Sequence, residues 1–231
     1  MTSLVNIILP EHTVKQLRRI SQLSRLNEWE YAGAINFRVD KKNTITFMEP
    51  TYKTSKSKFS VELEDVKQVW PNVISYHTHP APWIKPINPS RRSYVTLPSH
   101  ADLNAYIVGY PRMQSNLILD SDGFYIIDIH DSASKLKLPV PSSVNLIMDC
   151  FRYEIPDEYR VKENTDGFEF FHATVDEWKT VITKLHGHLY RTFGISMRYI
   201  SYEDPVILSI NRNQFLLRCL GNDDNMQLDV R

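Results

Sequence analysis

The stretch Ser115 to His130, SNLILDSDGFYIIDIH, constrains the fold more than any other part of the chain. Two β-rich apolar runs flank Asp120 to Gly123, a cluster with turn chemistry, so the stretch reads as a hairpin. EYAGAINFRVDKKNTITFMEPTY, from Glu30, reads as another hairpin, around Asp40-Lys41-Lys42-Asn43. VWPNVISYHTH lies between them and reads as a strand. Val14, Leu17, Ile20 and Leu23 recur at close to helical spacing just after Pro10, which predicts an amphipathic helix over about 11–26. A second helix is expected from Ser99, with Pro111 closing it. The order helix, hairpin, strand, helix, hairpin predicts an α/β (α+β) protein: a mixed sheet flanked by helices.

LKLPVPSS, after Lys135, is proline-punctuated and polar, and it suggests a boundary between a first domain, 1–138, and a C-terminal α+β extension, 139–231. The extension is expected to hold a strand-like run (VNLIMDCFRYE), an acid-rich loop, a helix over about 174–193, and one or two strands in ISMRYISYEDPVILSI. Hydrophobic residues make up 42% and charged ones 23%, enough apolar content for a real core. Lys+Arg and Asp+Glu are 27 each, and the basic clusters are short, so no nucleic-acid partner is expected. The apolar run Leu4–Leu9 is too short for a signal peptide, and no other run could span a bilayer. Cys150 and Cys219 lack metal-ligand spacing and read as reduced thiols, Cys150 in a buried strand. These features predict an intracellular protein, cytoplasmic or nuclear.

The strand VISYHTH ends in His77-Thr78-His79. Eight histidines in 231 residues give about 0.27 such pairs by chance, and the chain has a second, His186 and His188. On a strand, residues two apart point the same way, so His77 and His79 can reach one metal. His186 and His188 fall in a helical pattern, where two residues apart means about 200° around the axis, so they diverge. Two imidazoles need a third protein ligand to make a catalytic zinc site. His100 and Asp102, in LPSHADL, are the candidates downstream. A carboxylate to act on bound water could come from Glu28 or Glu30. Ser99-His100-Ala101-Asp102 also has the form of a helix capping box, a structural reading of the same residues.

Together, EYAG, HTHP and PSHADL resemble the motif of the JAMM (MPN+) metalloproteases: a Glu, then His-x-His-Pro, then Ser-x-x-Asp. The resemblance covers roughly residues 5–135 and implies an MPN-like fold with His77, His79 and Asp102 as zinc ligands. It implies Glu30 as general base, because Glu30-Tyr31-Ala32-Gly33 matches the family's Glu-x-x-Gly and Glu28 has no such glycine. It implies that Ser99 helps hold the reacting carbonyl oxygen. Many members cleave isopeptide bonds, so the resemblance implies a zinc-dependent isopeptidase whose partners are conjugates of ubiquitin or a ubiquitin-like protein. The alternatives are a non-catalytic MPN scaffold subunit and a JAMM peptidase acting on another protein. The chain departs from the family in the 18 residues Ala81–Pro98, a longer connection than usual between the histidines and the serine. Pro82, Pro86, Pro89 and Trp83 in this insertion suggest a semi-rigid flap beside the site. The C-terminal extension is expected to offer a surface for a protein partner.

Overall fold

The computed structural model describes residues 4–39, 45–57, 74–80, 92–110, 113–129, 141–161 and 169–211. The chain opens with β1 (Leu4–Ile8) and α1 (Glu11–Asn27), then four short strands: β2 (Ala32–Ala34), β3 (Phe37–Val39), β4 (Ile45–Phe47) and β5 (Thr51–Lys53). β6 (Ile74–Thr78), β7 (Ser93–Thr96), α2 (His100–Gly109), β8 (Ser115–Leu119) and β9 (Gly123–Ile129) follow. The remainder comprises α3 (Pro141–Glu154), a 3₁₀ turn (Asp157–Tyr159), β10 (Phe170–Ala173), α4 (Val175–Phe193), β11 (Ile195–Ser201) and β12 (Ile207–Asn211).

A six-stranded sheet in the order β11-β9-β8-β6-β2-β5 forms the centre, and it is mixed, since β6 and β8 pair in parallel while the other neighbours are antiparallel. A parallel pair needs a crossover, and α2 supplies it between β6 and β8. That topology brings the first turn of α2 toward the C-terminal end of β6. The sheet is covered on both faces. Leu117, Leu119, Phe124 and Ile126 pack with Val14, Leu17 and Ile20 of α1 and with Leu208 and Ile210 of β12. Ile118, Tyr125 and Ile127 face the other way, into a core shared with α2, α3 and α4. The alternation along β8 and β9 is the period of two that a strand imposes.

The mixed α/β architecture agrees with the sequence reading, as do α1, α2, α4 and the hairpin β8–β9. Three expectations change. VNLIMDCFRYE is helix, not strand: Val144, Met148 and Phe151, with Ile155 just beyond, bury one face at helical spacing. Cys150 consequently lies exposed on α3 rather than buried. The boundary near 138 does not separate two cores, because β11 pairs along β9 in the central sheet and α4 contributes Trp178, Ile182, Leu185 and Leu189 to the core that holds Tyr125. Within the 81–98 insertion, Ser93–Thr96 forms β7, paired with β10. Ala81–Arg91, the turn at 40–44, Trp70-Pro71, Pro111 and Cys219 lie outside the described residues. No helix among the described residues is long and apolar enough to cross a membrane.

Candidate metal centre

The strand period decides where the histidines point. Ile74 and Tyr76 of β6 pack on the α1 side, and Thr78 on that same side donates its hydroxyl to Ser24 Oγ at 2.7 Å. His77 therefore turns to the opposite face, toward α2, and His79, just past the strand end, joins it. The main chain there is pinned. Thr78 N donates to Tyr31 O at 2.8 Å, Tyr31 N donates to Thr78 Oγ1 at 2.9 Å, and His79 N donates to Leu119 O at 2.9 Å.

Asp102 arrives from the first turn of α2, where the helix dipole favours a carboxylate. The capping box is present: Ser99 Oγ accepts from Asp102 N at 3.2 Å, and Asp102 Oδ2 accepts from Ser99 N at 2.6 Å. The same carboxylate faces the histidines. Oδ1 lies 3.0 Å from His77 Nε2, Oδ2 lies 3.3 Å from His79 Nε2, and the two Nε2 atoms are 3.2 Å apart. The capping reading of Asp102 holds, and the same carboxylate lies where it could also bind a metal ion.

Two imidazole nitrogens and a carboxylate this close could share a metal ion, or the ring protons that pair them in its absence. Tetrahedral coordination with bonds of about 2.0–2.1 Å places ligand atoms about 3.3 Å apart, and the 3.2 Å between the two Nε2 atoms fits that spacing, while each imidazole meets a different oxygen of Asp102. Among the described residues, His77, His79 and Asp102 are the cluster that can hold a metal ion. Their side chains keep 10–14% of their surface exposed.

The electrostatics follow from burial and proximity. Burial alone would raise Asp102, yet the two imidazoles hold its carboxyl well below the usual carboxylate range. Burial alone would lower His79, but Asp102, with Glu30 and Asp120 adding to its field, pushes it up to about 9. Glu30 is raised, first by burial and then by the field of Asp102, against the opposing fields of His77 and His79. The Glu30 carboxylate thus senses all three candidate ligands.

The other candidates separate from this centre. Glu28 is the C-cap of α1, in left-handed conformation with φ 55°, its N–H bonded to Ser24 O. His100 Nε2 lies 2.9 Å from Asp149 of α3. His186 and His188 lie on α4 with different neighbours: Met197 N donates to His186 Nδ1 at 3.3 Å, and His188 Nε2 is 3.9 Å from Glu154.

Two residues beside the site carried no signal in the sequence. Thr96 Oγ1 lies 2.6 Å from His79 Nδ1, and Asp120 Oδ2 accepts from Thr96 N at 2.8 Å. Thr96 is one threonine in a strand, and Asp120 reads as an ordinary turn residue. Burial raises the Asp120 pKa to about 7 despite the N–H donors of Thr96 and Ser121.

Fold and site together define a mixed α/β protein with a His-His-Asp centre suited to a metal ion. No family model, curated protein or solved structure matches the chain.

Proposed function

We propose that the protein is a zinc-dependent isopeptidase acting on conjugates of ubiquitin or a ubiquitin-like protein. The observation that carries the reading is the convergence of His77 Nε2, His79 Nε2 and Asp102 within 3.0–3.3 Å of one another, with Glu30 in their field. Two neutral imidazoles and one carboxylate suit zinc, and three protein ligands leave a position for water. When bound, zinc supplies a Lewis acid that brings a coordinated water to a pKa of about 7 and polarises a carbonyl.

The chain's own residues supply the rest. Glu30 takes the proton of the attacking water and delivers it to the leaving amine, acting as base and then as acid. Ser99 accepts from Asp102 N, so its hydroxyl hydrogen remains to donate toward a developing oxyanion, a contact worth about 3–4 kcal/mol in comparable sites. Asp102, held by the Ser99 N–H, keeps its carboxylate between the two imidazoles. This chemistry is amide hydrolysis. The substrate class rests on the resemblance of EYAG, HTHP and PSHADL to the JAMM pattern.

The test is cleavage of a panel of diubiquitin linkages and of ubiquitin-like fusions by zinc-loaded protein, with and without a strong chelator. Chelator-sensitive cleavage is the expected result. A zinc-loaded, folded protein that cleaves none of these substrates sinks the substrate assignment. A folded protein that takes up no zinc sinks the enzyme.

A further inference from the structure

We infer that Thr96 and Asp120 are positioning residues that fix the ring hydrogen of His79 on Nδ1, leaving Nε2 as the metal-binding lone pair. The inference rests on the metal reading above and deepens it. A neutral imidazole carries one ring hydrogen, and which nitrogen holds it is set by the hydrogen bond made at the other. His79 Nδ1 lies 2.6 Å from Thr96 Oγ1. A hydroxyl has one hydrogen to give, so the Thr96 hydroxyl either donates to Nδ1 or donates elsewhere and accepts from it.

Asp120 decides between the two. Its Oδ2 accepts from Thr96 N at 2.8 Å and its Oδ1 accepts from Ser121 N at 3.2 Å, so both oxygens act as acceptors. Asp120 Oδ2 also faces Thr96 Oγ1 at 3.4 Å, the direction in which the hydroxyl donates. Thr96 Oγ1 then has a lone pair left for the Nδ1–H of His79. The opposite arrangement would place a hydrogen on Nε2, and that nitrogen could not bind a metal.

The fold holds this relay from three sides. Thr96 pairs with Phe170 across β7 and β10. Thr96 O accepts from the Tyr125 hydroxyl at 2.5 Å, which in turn accepts from Trp178 Nε1 at 2.5 Å. Asp120 O accepts from Ser21 Oγ at 2.7 Å and from the Tyr202 hydroxyl at 2.9 Å. Phe170, Trp178 and Tyr202 all come from the C-terminal segment, which gives that segment a place in the metal site without supplying a ligand.

The experiment compares wild type with Thr96→Val, which keeps the side-chain shape and removes the acceptor, and Thr96→Ser, which restores it. Nitrogen-15 spectra of the histidine rings in the metal-free protein, recorded above pH 9 where the His79 ring is neutral, should show its single hydrogen on Nδ1 in wild type and Thr96→Ser, and no longer fixed there in Thr96→Val. Competition with a chromophoric chelator should show zinc affinity about 10–100-fold weaker in Thr96→Val and near wild type in Thr96→Ser. Wild-type zinc affinity in Thr96→Val overturns the inference. So does a wild-type spectrum with no hydrogen on Nδ1, a result that stands even if Thr96→Val does not fold. Wild-type protein that shows the Nδ1–H but binds no zinc overturns the metal reading alone.

Discussion

Gly33→Ala tests the account of the Glu-x-x-Gly segment most sharply, because it adds one methyl group in a place with no room for it. A Cβ at residue 33 would sit 1.8 Å from Thr51 O and 2.6 Å from the Tyr76 ring. The first contact is main chain on β5, so it cannot be relieved by turning a side chain. β2 and β5 must part, or Tyr76 must leave, and Tyr76 donates to Thr51 O at 2.9 Å. Overpacking typically costs 1–3 kcal/mol and a hydrogen bond about 1 kcal/mol, so the variant should lose roughly 3 kcal/mol. For a chain of this length that is a fall in Tm of about 6–12 °C. The effect should reach the site, because Gly33 pairs with Tyr76, and Ala32 with His77, in the register that sets Glu30 against the histidines. Thermal unfolding and urea titration measure the loss, and zinc-dependent cleavage measures the displacement of Glu30. A variant as stable and as active as wild type would refute this reasoning, since it would mean that β2, β5 and Tyr76 are not packed as described.

Three further outcomes follow from the same geometry. Glu30→Gln should retain zinc and lose turnover by about 10²–10⁴-fold, and near-normal hydrolysis would remove Glu30 as the base. Replacing His186 and His188 together with Ala should leave zinc content and activity unchanged, whereas loss of an equivalent of metal would reveal a second centre. Asp128 is buried, and despite Arg198 at 3.1 Å burial raises its pKa to about 6. The folded state therefore holds its proton more tightly than the unfolded chain, so stability present below pH 4 is lost as pH rises through 6, by up to about 3 kcal/mol. Asp128→Asn should thus stabilise the protein at pH 7.5 with a gain that vanishes toward pH 4 in urea titrations; parallel stability curves for the two proteins would contradict it.

The histidine pair was legible because its chemistry depends on a local period, whereas only the resemblance to the JAMM pattern sets Asp102 apart from His100 as the third candidate. Two residues apart on a strand puts His77 and His79 on one face, and three residues past a helix cap puts Asp102 in the first turn. The hairpin at 115–129 was legible for the same reason, its turn residues lying between two β-rich runs. VNLIMDCFRYE was misread because a short apolar run is ambiguous between strand and helix; Val144, Met148 and Phe151 carry the helical spacing among other apolar residues. The pairing of β11 with β9 joins residues some seventy positions apart, and no local pattern announces it. Thr96 and Asp120 gain their roles only when β7 and the β8–β9 turn come together, so neither residue stands out alone.

The most direct measurement is native mass spectrometry of purified protein for bound metal, with Asp102→Asn and His77→Ala beside wild type. In Asp102→Asn the side-chain amide oxygen could still accept from Ser99 N and start α2, but it brings no charge to the histidines. The account predicts one equivalent of zinc in wild type and none in either variant, with all three proteins folded. A folded wild-type protein without zinc, or variants that keep the full equivalent, would contradict it.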